Sequence, residues 1–192
     1  DPTIVSGRAR IVAGDLLRVG GKLVHLAAID APAPTQPCYR SNGRRWGCAA
    51  SAVSTLRRLV RGRKIACELR VADSDGPVQG HCRAGELDLA AAMVRKGYAF
   101  ASDELGRPYA SEEETARAEK AGIWQGEIER PEVWRAKVWD EAKKSAPEGC
   151  PIRAVESGQG RVYAMPWSEG YDRRNLRKVK GERWFCSEEE AQ

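Results

Sequence analysis

Six cysteines in 192 residues set the tightest limit on how this chain can fold. They are Cys38, Cys48, Cys67, Cys82, Cys150 and Cys186. An even number with no C-x-x-C pair reads as disulfides, and six cysteines allow fifteen connectivities. His25 and His81 stand apart from any cysteine cluster, which leaves a zinc reading weak. The spacing is sequentially local, 38 with 48, 67 with 82 and 150 with 186. Three such bridges require an oxidising compartment, so the expectation is a periplasmic or secreted protein. A chain that opens on Asp1 fits a processed mature form, as it fits a trimmed one.

Hydrophobic residues make up 42% and charged residues 31%, which excludes a mainly disordered chain. No apolar run approaches the roughly 18–20 residues of a membrane span. The best, Leu23 to Ile29, is interrupted by His25. The net charge of +5 permits an anionic partner without demanding one. Residues 1–61 hold ten Lys and Arg against three Asp, so the basic surplus lies in the first strands and first helix.

Alternation and turn residues predict strands over Arg8–Ala13, Leu16–Val19 and Lys22–Ile29, with Gly20-Gly21 as a hairpin turn. A loop with Pro32, Pro34 and Pro37 follows, closed to helix and central strand alike. Ala49, Val53, Leu56 and Val60 predict a helix over Trp46–Val60, ended by Gly62. Lys64–Val71 and Val78–Arg83 read as a strand pair that brings Cys67 beside Cys82. Leu87–Lys96 and Tyr109–Ala121 read as further helices. The expected division is residues 1–140, a linker at 141–149, and a small module at 150–192. So short a module needs a staple, and its bracketing cysteines supply one.

The order strand-strand-strand-helix-strand-strand is that of an OB-fold. Four segments carry a sharper resemblance. Val12-Ala-Gly-Asp15-Leu-Leu-Arg-Val19, Val24-His-Leu-Ala-Ala-Ile-Asp30-Ala-Pro32, Ala92-Met-Val-Arg-Lys-Gly97-Tyr-Ala and Glu119-Lys-Ala-Gly-Ile-Trp124 resemble the staphylococcal nuclease (thermonuclease-like) family over about residues 8–135. The resemblance implies an α+β chain: a five-stranded OB-fold barrel with three packed helices, plus the small disulfide-stapled C-terminal module. The tail, with Gly149-Cys-Pro-Ile152 and Gly181-Glu-Arg-Trp-Phe-Cys-Ser187, resembles a module appended to bacterial members. Cysteines at comparable places in such members strengthen the local pairing and the export reading.

The family's chemistry, as the resemblance implies it, is calcium-assisted attack of water on a phosphodiester. It uses two carboxylates and a carbonyl on the metal, a glutamate for the water and two arginines for the phosphate. Carried over by position, the metal aspartates fall on Asp15 and Asp30, and the carbonyl on Ala31. The first arginine falls on His25, the glutamate on Ala33, and the second arginine on or near Pro77. The water-activating group and both phosphate-neutralising groups are thus missing together. The expectation is a protein that has lost nuclease activity and serves as a binding or assembly protein. Its partner would be a protein or an envelope complex, with a residual nucleic-acid groove at Arg44, Arg45 and Arg57. No cofactor is expected, though Asp15 and Asp30 leave room for residual calcium; their plainer role is to accept backbone N–H bonds. His25 reads as a relic donor or, more plainly, as a structural histidine on the barrel's inner face. The competing expectation is an active phosphodiesterase with a rewired metal site at Asp15, Asp30, Asp73, Asp75 and His25. A second basic cluster, Arg173-Arg174, Arg177-Lys178 and Lys180, lies among tail aromatics that read as the module's core.

Overall fold

The computed structural model describes residues 3–70, 77–157, 160–171 and 183–191. Asp73, Asp75 and the tail cluster from Arg173 to Lys180 lie outside the described residues. The elements run β1 (Thr3–Gly7), β2 (Arg10–Ala13), β3 (Leu16–Val19), β4 (Lys22–Leu26), β5 (Ile29–Asp30), β6 (Cys38–Tyr39), β7 (Arg45–Trp46), α1 (Cys48–Val60), β8 (Ile65–Leu69), β9 (Val78–Ala84), β10 (Leu87–Asp88), α2 (Leu89–Arg95), β11 (Phe100–Ala101), α3 (Ala110–Ala118), α4 (Pro131–Ser145), β12 (Ile152–Ser157), β13 (Gly160–Ala164), β14 (Arg183–Phe185) and α5 (Glu188–Ala191).

The main sheet runs β1-β8-β9-β4-β3-β2, with β10 added on β9. All its pairings are antiparallel except β4 with β9, where Val24 faces Val78. The two residues of the β3–β4 turn, Gly20 and Gly21, have φ of +55° and +79°. A Cβ on Gly20 would come within 3.1 Å of the Val5 Cβ, so this turn curls back onto β1. The α+β class and the curled barrel sheet agree with expectation. The strand number does not: β1 and β10 are added to the five expected strands. The expected helix over Leu87–Lys96 gives its first two residues to β10, because the Asp88 side chain accepts the Ala91 N–H and so caps α2.

The core follows strand parity. In β8, Ile65, Cys67 and Leu69 are buried while Ala66 and Glu68 are exposed. Cys67 pairs with Cys82 directly across β8 and β9, so the disulfide is an internal rung. It closes a 15-residue separation, which in the chain-entropy account contributes about 3 kcal/mol. On α1 the buried stripe is Cys48, Ala52, Thr55, Leu56 and Val60, one position off the expected Ala49 and Val53. Cys48 bonds Cys38 and forms a smaller core with Phe100 and Ile123.

The chain divides into two compact units, residues 1–32 with 37–130, and residues 33–36 with 131–192. The boundary thus precedes α4, and Glu141 to Ser145, expected to open a linker, continue that helix. In the second unit β13-β12-β14 form an antiparallel sheet, and Cys150 bonds Cys186. Its buried Arg153 donates to the Tyr171 carbonyl at 2.7 Å and lies 5.1 Å from the Trp184 ring. Of the tail aromatics, Tyr171 is buried in this unit while Trp184 is half-buried. Among the described residues no helix is long and apolar enough to cross a membrane.

Candidate functional site

The first unit positions Asp15 by a turn that only glycine can make. Asp15 opens the β2–β3 turn after Gly14, where a Cβ would come within 2.7 Å of the Ala52 Cβ and 2.9 Å of the Ala31 Cβ. With no side chain there, the turn sinks against α1 and Asp15 is left only 7% exposed. Its carbonyl accepts the Leu26 N–H at 2.8 Å, and its Oδ2 accepts the Ala31 N–H at 2.7 Å.

Asp30 reaches the same corner through a break in the expected Lys22–Ile29 strand. The chain turns at Ala27-Ala28, where Ala28 takes a left-handed φ of +62°. Left-handed backbone at a non-glycine residue stores about 1 kcal/mol or more, held here by the surrounding fold. The turn frees Ile29 and Asp30 to form β5 and pair with β11, Asp30 opposite Phe100.

His25 corrects its plainer reading. Val24 and Leu26 point into the core and are fully buried, so parity turns His25 to the opposite face. It is not a barrel-interior residue. Its Nε2 lies 3.3 Å from the Asp15 Oδ2, and its Nδ1 lies 3.2 Å from the Leu26 carbonyl. With both nitrogens facing acceptors, the doubly protonated ring fits best. Burial lowers the His25 pKa, but the Asp15 bond and the charges of Asp15 and Asp30 outweigh it, and the net shift is upward from 6.5. The shift favours the protonated ring beside Asp15, with Asp30 as a second nearby carboxylate. Among the described residues no group of three or more His, Cys, Asp and Glu is arranged to hold a metal.

A family profile for staphylococcal nuclease homologues matches residues 23–126. The chain belongs to the staphylococcal nuclease family. The match takes in Asp30, His25, Ala33 and Pro77 and begins after Asp15. The succinoglycan biosynthesis protein ExoI of Rhizobium meliloti (strain 1021) is 31% identical over 128 residues, covering 65% of this chain and 67% of that protein.

The remaining sequence-derived positions lie on separate elements. Ala33 is buried in the proline-rich loop and offers only a methyl group. Pro77 is exposed just before β9. Arg44 and Arg45 are exposed on the β6–β7 hairpin, and Arg57 is exposed on α1, a separate element. On that hairpin Arg40 stacks 5.3 Å from the Trp46 ring and donates to the Gln125 Oε1 at 2.9 Å. Two features escaped sequence reasoning. One is the Asp15–His25 pair, whose signal was the parity of β4. The other is a group of cations where α1 and α2 end, whose signal was Arg63 and Lys96 flanking the helix-ending glycines Gly62 and Gly97.

Proposed function

We propose that this protein has given up phosphodiester cleavage and acts outside the cytoplasm as a binding or assembly protein. The observation that carries this reading is the 3.3 Å pair of His25 with Asp15. The position equivalent to the family's first arginine is taken by a side chain directed at the carboxylate, not left free to fork onto a phosphate. The Asp15 Oδ2 already accepts the Ala31 N–H, and the His25 Nε2 stands 3.3 Å from it. Asp15, Asp30 and the Ala31 carbonyl still offer the three protein oxygens that the family places on calcium, so this reading rests on the lost phosphate and water groups and not on loss of the metal. At Ala33 a methyl cannot take a proton from water. At Pro77 an imino acid cannot neutralise a phosphate. Removing one electrostatic stabiliser typically costs about 10²–10³ in rate, and three here are absent together.

A protein partner or envelope complex is the ligand class this reading favours. The relative's name ties that protein to biosynthesis of succinoglycan, which suits an assembly role better than a degradative one. Three disulfides suit an extracytoplasmic location, periplasmic or secreted. Residual nucleic-acid binding at Arg44, Arg45 and Arg57 would be electrostatic and weaken steeply with salt. The test is cleavage of single-stranded DNA by the full chain with calcium. No cleavage above buffer is expected. Calcium-dependent cleavage that disappears in Asp15→Ala would overturn the proposal.

A further inference from the structure

A cavity of about 800 Å³ opens in the first unit where α1 and α2 end. Four cations line it: Arg58, Arg63, Arg95 and Lys96. The one carboxylate among its lining residues, Glu119, is already held in a fork by Arg95, both contacts at 2.8 Å. Arg58 donates to the Thr55 hydroxyl at 3.0 Å, a neutral partner. The side chains of Arg63 and Lys96 have no hydrogen-bond or ion-pair partner among the described residues. One mouth therefore carries four positive charges against one negative.

Helix C-termini attract cations, and this accounts for a basic residue at the end of each helix. It does not account for the missing acids. Exposed cations without an ion pair among the described residues occur elsewhere as well, as at Arg44, Arg45 and Arg61; what sets these four apart is that they line one cavity with a single carboxylate. Like charges gathered without counter-ions are costly unless an anion completes the set. The volume falls in the range of small-molecule sites, roughly 300–1,000 Å³. Leu59 and Tyr98 give part of its wall an apolar face, against which an organic body can lie.

We propose that this cavity binds a phosphorylated small molecule, with Arg63 and Lys96 as its free contacts and Arg58 and Arg95 beside them. A phosphate dianion matches the excess charge in less space than separate carboxylates, and guanidinium forks suit its oxygens. Neither Asp15 nor His25 lines the cavity, so this inference and the loss of nuclease activity stand or fall separately.

The test is calorimetric titration of the full chain with pyrophosphate at low salt, with citrate as the carboxylate control. Saturable binding of pyrophosphate, weakened at least roughly tenfold in an Arg63→Gln/Lys96→Gln variant, is the expected result. Both side chains are exposed, and an unchanged melting curve would show the variant folded. A Lys143→Gln/Lys144→Gln variant should bind as the unaltered chain does. Absence of saturable binding, equal affinity in the cavity variant, equal loss in the control variant, or citrate binding as tightly as pyrophosphate would each overturn the assignment.

Discussion

Glu113 and Asp15 are both buried carboxylates of the first unit, and each accepts a backbone N–H from one strand of the same ribbon or from its flank. Glu113 takes the Ala101 N–H of β11 at 2.7 Å, and Asp15 takes the Ala31 N–H just past β5 at 2.7 Å. Those strands pair through Asp30–Phe100 and Ile29–Ala101. The difference is in the cations. Glu113 has Arg130 at 2.8 Å, Arg117 at 3.1 Å and Arg107 at 3.6 Å. Asp15 has His25. Arginine charge does not vary over any physiological pH, so the Glu113 clasp is permanent. Histidine is the side chain whose charge changes there, so the Asp15 clasp is conditional. A carboxylate with surplus arginines reads as structural. One with a single titratable partner, at the position that the resemblance equates with a family metal ligand, holds strands together more loosely, as the proposed loss of cleavage would allow.

The largest effect is expected at Glu113. Glu113→Ala leaves the buried Ala101 N–H without its acceptor and Arg117 and Arg130 without their acid, while Arg107 keeps Asp103 at 3.0 Å. Breaking a buried pair costs about 3–5 kcal/mol, and the lower end applies because the arginine side chains are 28–51% exposed. Urea unfolding measures it. Asp15→Ala should cost less, about 1–3 kcal/mol, for one orphaned backbone donor and one released imidazole. An equal loss in the two variants would break the distinction. A gain in stability from Asp15→Ala would break it more sharply, since two nearby carboxylates would then be repelling without compensation.

How far this contrast was legible depended on which forces set each residue. Apolar periodicity and glycine turns fixed most elements, because core burial and positive φ leave few alternatives. β1 was missed since Thr3–Gly7 is half-exposed throughout and shows no apolar alternation. The Lys22–Ile29 strand was too long because nothing in two alanines announces a left-handed turn at Ala28. Asp15 and Asp30 could be placed from their motifs, but their neighbours could not. The Asp15–His25 contact depends on the β3–β4 register, which sets Leu16 opposite His25. The Glu113 clasp joins α3 and β11 with two loop residues, Arg107 and Arg130, and its sequence signature, a run of glutamates at a helix start, reads first as a helix-dipole effect.

The smallest expected effect is also the most specific to the conditional clasp. The His25 pKa is raised in the folded state, so the imidazolium stabilises the fold. That contribution is complete below the unfolded value near 6.5, fades as pH rises through the raised folded value, and is gone above it. The difference in unfolding free energy between the unaltered chain and His25→Gln should therefore be greatest near pH 5.5 and shrink towards pH 9, by about 1 kcal/mol or less. The same pair of pH values applied to Glu113→Gln should give a difference that does not move, because no partner of Glu113 titrates in that interval. A His25→Gln difference that is flat with pH would mean the ring is neutral in the fold. Asp15 would then have a neutral imidazole as its partner, and its clasp would be no more pH-dependent than that of Glu113.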